Sequence, residues 1–136
     1  MLLSLMVYYQ LRIMLHLLGD KSRVWLAIAA HISATVAMLW PSPDLPDIDV
    51  PMVDKWAHFL VFWVLYFLWA LALQNRRSFR LNAGLVLALL LYGIIIEVIQ
   101  EHWSVTRTGD VIDVLANCIG ILLGLIAFNV KEKLYR

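Results

Sequence analysis

Eight polar residues in this sequence have the types and spacing to build one chemical site. Lys55 and His58 stand three apart, as do Glu97 and Gln100, and Arg107 is followed by Asp110, Asp113 and Asn117. Residues three or four apart share one face of a helix. Two kinds of chemistry suit the set. As a binding site, Arg107 grips phosphate or carboxylate with a two-pronged fork and Lys55 acts as a point charge. Gln100 and Asn117 then hydrogen-bond amides or hydroxyls. As a catalytic site, Glu97 serves as general acid or base with His58 as its partner, oriented by Asp113. Lys55 and Arg107 would stabilise charge developing on a phosphate. A metal variant uses His58, Glu97 and Asp113 as N/O ligands. One histidine is few for zinc, so the expected metal and cofactor complement is none. The lone Cys118 excludes a thiolate metal site and an intramolecular disulfide.

The elements that must carry these residues follow from composition. Of 136 residues, 62% are hydrophobic and 15% charged, against roughly 45–50% and 25% in soluble domains. A domain this small cannot hide so much apolar surface from water, and a bilayer is the solvent that suits it. Membrane-crossing helices need roughly 17–25 apolar residues. Four stretches qualify: Val24 to Trp40, Trp56 to Leu73, Leu81 to about Ile99, and Val111 to Val130. The expected fold is all-α, a four-helix transmembrane bundle occupying residues 21–136, with antiparallel neighbours because the connections are short. A net charge of +1 gives no basic field for nucleic acid.

Direction comes from the basic residues. Of the 11 lysines and arginines, all except Lys55 and Arg107 lie before the first span, between the second and third, or after the fourth. That side is expected to be cytoplasmic, with both termini there. The opposite loop, Pro41 to Asp54, holds Asp44, Asp47, Asp49 and Asp54 and four prolines, and is expected to be an extended, solvated acidic linker. Trp25, Trp40, Trp56 and Trp103 mark span ends, where an aromatic belt forms. No cleavable signal peptide is expected. Residues 1–20 are expected to form an amphipathic interfacial helix, because Ser4, Tyr8, Arg12 and His16 make a polar stripe on an apolar helix. A fifth span is the competing reading, with Arg12 and His16 costly at its centre. A true start at Met14 is the third.

All eight polar residues then fall on the outer side of the membrane. At 1.5 Å per residue, Glu97 and Asn117 lie roughly 9 Å below the outer ends of their helices, and His58 and Asp113 roughly 5 Å in. Asp110, Asp113 and Asn117 continue to Gly120 and Gly124 along one stripe. It must face protein, because a carboxylate cannot face lipid at acceptable cost. The expectation is one water-accessible pocket between spans two, three and four. A charge network that only locks the helices in register is the alternative, although such networks are inefficient stabilisers.

The ordered combination of Asp54-Lys55-Trp56-Ala57-His58-Phe59, Glu97-x-x-Gln100, and Arg107 through Asp110, Asp113, Asn117, Gly120 and Gly124 resembles the VanZ-like family over about residues 24–130. The resemblance implies a multi-pass protein of the bacterial cytoplasmic (inner) membrane, in a family whose founding members are associated with resistance to the glycopeptide antibiotic teicoplanin. Its motif positions map onto Lys55, His58, Glu97, Gln100, Arg107, Asp110, Asp113, Asn117, Gly120 and Gly124. Three functions are then open. The protein binds or protects a lipid-linked cell-wall precursor or lipid head group at the outer leaflet. It is an intramembrane hydrolase or transferase acting on a lipid-linked phosphate or ester. Or it is a structural subunit of an envelope complex. No nucleophile elbow, phosphate loop or cofactor motif appears.

Other residues have plainer readings. Gly120 and Gly124 form a small-residue face for close helix packing, with a homo-oligomer contact as the alternative. His31, with Thr35 one turn on, is a hydrogen-bonded packing residue more readily than a proton relay. His102 is expected in a solvated loop, and Cys118 as a small buried apolar group. Calcium binding by the acidic loop lacks a recognisable ligand spacing.

Overall fold

The computed structural model describes residues 19–40, 52–76, 78–103 and 111–134. Helices α1 (Asp20–Leu39), α2 (Val53–Ala72), α3 (Phe79–Trp103) and α4 (Val111–Leu134) account for nearly all of them, with a single 3₁₀ turn at Gln74–Arg76. All four are long and apolar enough to cross a membrane. Their lengths of 20, 20, 25 and 24 residues give roughly 30–37 Å of rise, which matches a hydrocarbon core of about 30 Å. The all-helical, four-span architecture is the one expected from the hydropathy pattern. The interfacial helix expected over 1–20 lies outside the described residues, apart from its last positions.

Local chemistry sets the helix ends. Trp40 leaves helical geometry (φ −64°, ψ 126°), because the residue before a proline is driven out of the α region. Met52 takes a left-handed backbone (φ 65°, ψ 21°), at a cost of about 1–2 kcal/mol for a residue with a Cβ. That turn delivers the chain into α2 with Asp54 and Lys55 in its first turn. Asp54, expected in the acidic linker, is therefore helical. At the other end of α2, the Leu73 N–H donates to the Trp69 carbonyl at 3.0 Å before the 3₁₀ turn. Ser78 begins α3 by accepting the Leu81 N–H at 3.2 Å, the ordinary job of an N-cap hydroxyl. His102, expected in a loop, sits in the last turn of α3, where its Nδ1 lies 2.8 Å from the Val98 carbonyl. Nothing after Glu97 breaks the helix until Trp103, so α3 runs a turn longer than its apolar stretch.

The α2–α4 pair is the spine of the bundle. Both helices start at the same end and run parallel, in a register that holds along their length. Lys55 meets Asp113 and His58 meets Asn117. Lower down, Phe67 packs edge-on against Phe128, with ring centroids 5.7 Å apart. At the far end the Lys131 ammonium donates to Gln74 Oε1 at 3.3 Å. Two glycines make this approach possible. A Cβ on Gly120 would collide with the Phe59 carbonyl oxygen, and one on Gly124 would lie 2.9 Å from Tyr66 Cβ and 3.0 Å from the Trp63 carbonyl. Of the two readings of the glycine pair, the structure realises close packing within the chain. A homo-oligomer contact through them would need a face that α2 already covers.

The apolar core lies below the polar end, around Phe62, Leu65, Tyr66, Leu89, Ile96, Ile121 and Phe128. Leucines and isoleucines such as Leu60, Leu91, Ile95, Ile119 and Ile126 are exposed on the outside, as a lipid-facing surface requires. Midway along the bundle, Trp69 Nε1–H donates to His31 Nδ1 at 3.3 Å, and the His31 ring lies against Tyr92 with centroids 4.2 Å apart. Thr35 Oγ1 donates to the His31 carbonyl at 2.9 Å and stands 2.8 Å from the Tyr92 hydroxyl. His31 is thus the hydrogen-bonded packing residue its position suggested, tying α1 to α2 and α3.

Candidate functional site

Polar side chains collect at the end of the bundle where α2 and α4 begin. Apart from Arg23, every buried polar or charged residue among the described ones is His58, Glu97, Gln100, Asp113 or Asn117. All five come from the set picked out by spacing. The parallel register of α2 and α4 explains why they meet. Lys55 and His58 are one turn apart on α2, Asp113 and Asn117 are one turn apart on α4, and α3 brings Glu97 between them from the opposite direction.

The site has two layers. In the upper one, Lys55 Nζ donates to Asp113 Oδ1 at 2.9 Å; the two side chains are 22% and 4% exposed. Asp54 and Asp113 lie in the first turns of α2 and α4, where the positive ends of two parallel helix dipoles favour negative charge. One turn deeper, His58 Nδ1 faces two oxygens, Asn117 Oδ1 at 3.1 Å and Glu97 Oε1 at 3.3 Å. With Asn117 Oδ1 as the acceptor, Nδ1 is the ring nitrogen that donates. Nε2 is thereby directed toward the mouth, 4.0 Å from Asp54 Oδ1.

Gln100 Nε2 donates to the Met38 carbonyl at 2.8 Å in a buried contact, satisfying one of the carbonyls that the end of α1 leaves without an intrahelical partner. It tethers α1 to the site. The side chains of His58 and Glu97 are only 3% and 7% exposed. Arg107 and Asp110 lie outside the described residues.

Sequence reasoning missed two contributors. Asp54 was assigned to a linker, although it stands four residues before His58, on the same helical face. Gly93 on α3 drew no attention. A Cβ there would come within 3.0 Å of Asn117 Nδ2 and 3.1 Å of Phe62 Cζ, so its missing side chain lets α3 close on the site. Asn117 Nδ2 is buried with no hydrogen-bond partner among the described residues. An orphaned amide costs about 1–3 kcal/mol.

The network pairs opposite charges across α2 and α4 and sandwiches a histidine between an amide and a carboxylate. It can hold a proton, present an ammonium at its rim, and offer nitrogen and oxygen ligands. Comparison with known proteins agrees with the residue pattern. The model of the family described as VanZ/LLP1 matches residues 3–132. An uncharacterized protein of the yeast Schizosaccharomyces pombe is 33% identical over 103 residues, covering 74% of this chain. The chain spans about 60% of that relative's length. No solved structure matches. On the family match and the motif residues it contains, this chain belongs to the VanZ/LLP1 family.

Proposed function

We propose that this protein binds the phosphate-bearing head group of a lipid at the end of the bundle formed by the starts of α2 and α4. The observation that carries this reading is the meeting of Lys55, His58, Glu97, Asp113 and Asn117, drawn from three helices, at one end of a membrane bundle. Lys55 is the partly exposed cation at its rim, and Arg107, in the segment that joins α3 to α4, is its partner for the anion. Ionisable groups at membrane depth are costly and are kept for function.

The basic residues Lys21, Arg76, Lys131 and Lys133 belong to the other end. By the bias of positive charge toward the cytoplasm, that end is cytoplasmic and the site faces the outer leaflet, in a bacterium the outer leaflet of its cytoplasmic membrane. A lipid-linked cell-wall precursor carries the same phosphate chemistry as a phospholipid. Holding it would change the access of a glycopeptide such as teicoplanin to its target. The relative in a yeast, whose envelope contains no peptidoglycan, favours a head group common to both kinds of cell.

A catalytic role is the second reading, favoured by the His58 geometry. With Nδ1 pinned by Glu97 and Asn117, Nε2 has the orientation of a general base toward a phosphate or ester at the rim. The binding reading is tested by quantifying lipids retained by the purified protein, using native mass spectrometry after exchange into a mixture of anionic and zwitterionic phospholipids and an undecaprenyl phosphate. The expected result is selective retention of phosphate monoester or anionic lipids over zwitterionic ones. Retention in proportion to the mixture would contradict it.

A further inference from the structure

We propose that Asp54, His58 and Asp113 form a divalent-cation site at the mouth of the polar cluster. One ligand atom from each lies within 4.8 Å of the other two. His58 Nε2 and Asp54 Oδ1 are 4.0 Å apart, too far for a hydrogen bond. Ligand atoms around a tetrahedral ion with bonds of roughly 2.0–2.2 Å stand about 3.4 Å apart. Asp54 closes that gap by rotation, since its side chain is 47% exposed.

A further observation points to a cation there. A metal-bound histidine usually donates its other ring N–H to a carboxylate, which fixes the ring and its tautomer. Glu97 stands behind His58 in that position, 3.3 Å from Nδ1. The sequence alone suggested Glu97 as a ligand; the geometry moves it behind the ring and puts Asp54 in the ligand set. Lys55 engages one oxygen of Asp113, and a carboxylate has a second to offer.

One imidazole and two carboxylates suit zinc or manganese. Three protein ligands leave a fourth position for water or an anionic oxygen, which makes the ion the natural anchor of a phosphate. The inference rests on reading this end of the bundle as a ligand site, but it is tested without lipid. The full chain, purified in detergent and stripped with a chelator, is titrated with Zn²⁺ and with Mn²⁺ in competition with a chromophoric chelator. The expected stoichiometry is one ion per chain. Asp54→Asn should weaken binding by at least about tenfold through loss of a ligand, and Glu97→Gln by about 10–100-fold through loss of the group behind the ring. Asp20→Asn, at the other end of the bundle, should leave it unchanged. A stoichiometry near zero for both ions, or Asp54→Asn and Glu97→Gln each binding as tightly as wild type, overturns the metal site. Lipid retention measured after chelation reports separately on head-group binding.

Discussion

Replacing Lys55 by methionine is expected to destabilise the bundle by about 3 kcal/mol, while replacing Lys55 and Asp113 together costs less than the single change. Asp113 is 4% exposed and its carboxylate meets the Lys55 ammonium at 2.9 Å. Removing the ammonium leaves a buried carboxylate uncompensated, the costly half of breaking a buried pair. The two partners are not equivalent. Lys55 is 22% exposed and its long stem can carry the charge out to water, so Asp113→Asn should cost only about 1–2 kcal/mol. Lys55→Met combined with Asp113→Leu replaces both charges with apolar volume and should recover most of the loss. Unfolding in detergent, followed by circular dichroism, orders the variants. A Lys55→Met protein as stable as wild type would mean that Asp113 is not held by this pair.

The second large effect concerns ligand retention. Arg107→Ala is expected to weaken binding of a phosphate-bearing lipid by roughly ten- to a hundredfold, since hydrogen bonds to a charged group are worth about 1.5–3 kcal/mol. Arginine is the one side chain in the motif able to clasp a phosphate with two parallel N–H donors. Glu97→Gln, by contrast, keeps the shape of a residue that holds His58 from behind and, in protein stripped with a chelator, should change retention by less than about threefold. If the protein is instead an enzyme, the order reverses in a turnover assay. Glu97→Gln and His58→Gln would then each remove about 10²–10⁴ of the rate with the fold intact. Equal retention by Arg107→Ala and wild type would remove the head-group reading.

Much of this architecture was legible because membrane helices announce themselves. Apolar runs of the right length fixed α1 to α4 to within a few residues, and the three-residue spacings on α2 and α3 gave the faces that bear the site. The stripe from Asp113 to Gly124 was readable as protein-facing, since lipid rejects a carboxylate. What could not be read was long-range. No local pattern says that α2 and α4 run in a register that sets Lys55 on Asp113 and His58 on Asn117. Nor does any pattern say that Gln100 reaches back to the carbonyl of Met38. Gly93 looked like one glycine among several until α3 was seen to close on Asn117 through it. Asp54 was hidden by its neighbours, because an acidic, proline-rich stretch runs up to a helix start that only the turn at Met52 defines. Burial of the site was equally invisible, since polar residues suggest water, and only the packing of the helices puts His58, Glu97 and Asp113 out of its reach.

The most direct test of the account is an experimental structure of the protein in a lipid bilayer that contains phosphate-bearing head groups. The account predicts that side chains from α2, α3 and α4 point at one another, with a His58 ring nitrogen within hydrogen-bond reach of Glu97 and Asn117. It also predicts head-group density beside Lys55. Side chains of His58, Glu97 and Asp113 that diverge into separate surroundings, with the head groups ranged only along the lipid-facing leucines and isoleucines, would contradict it.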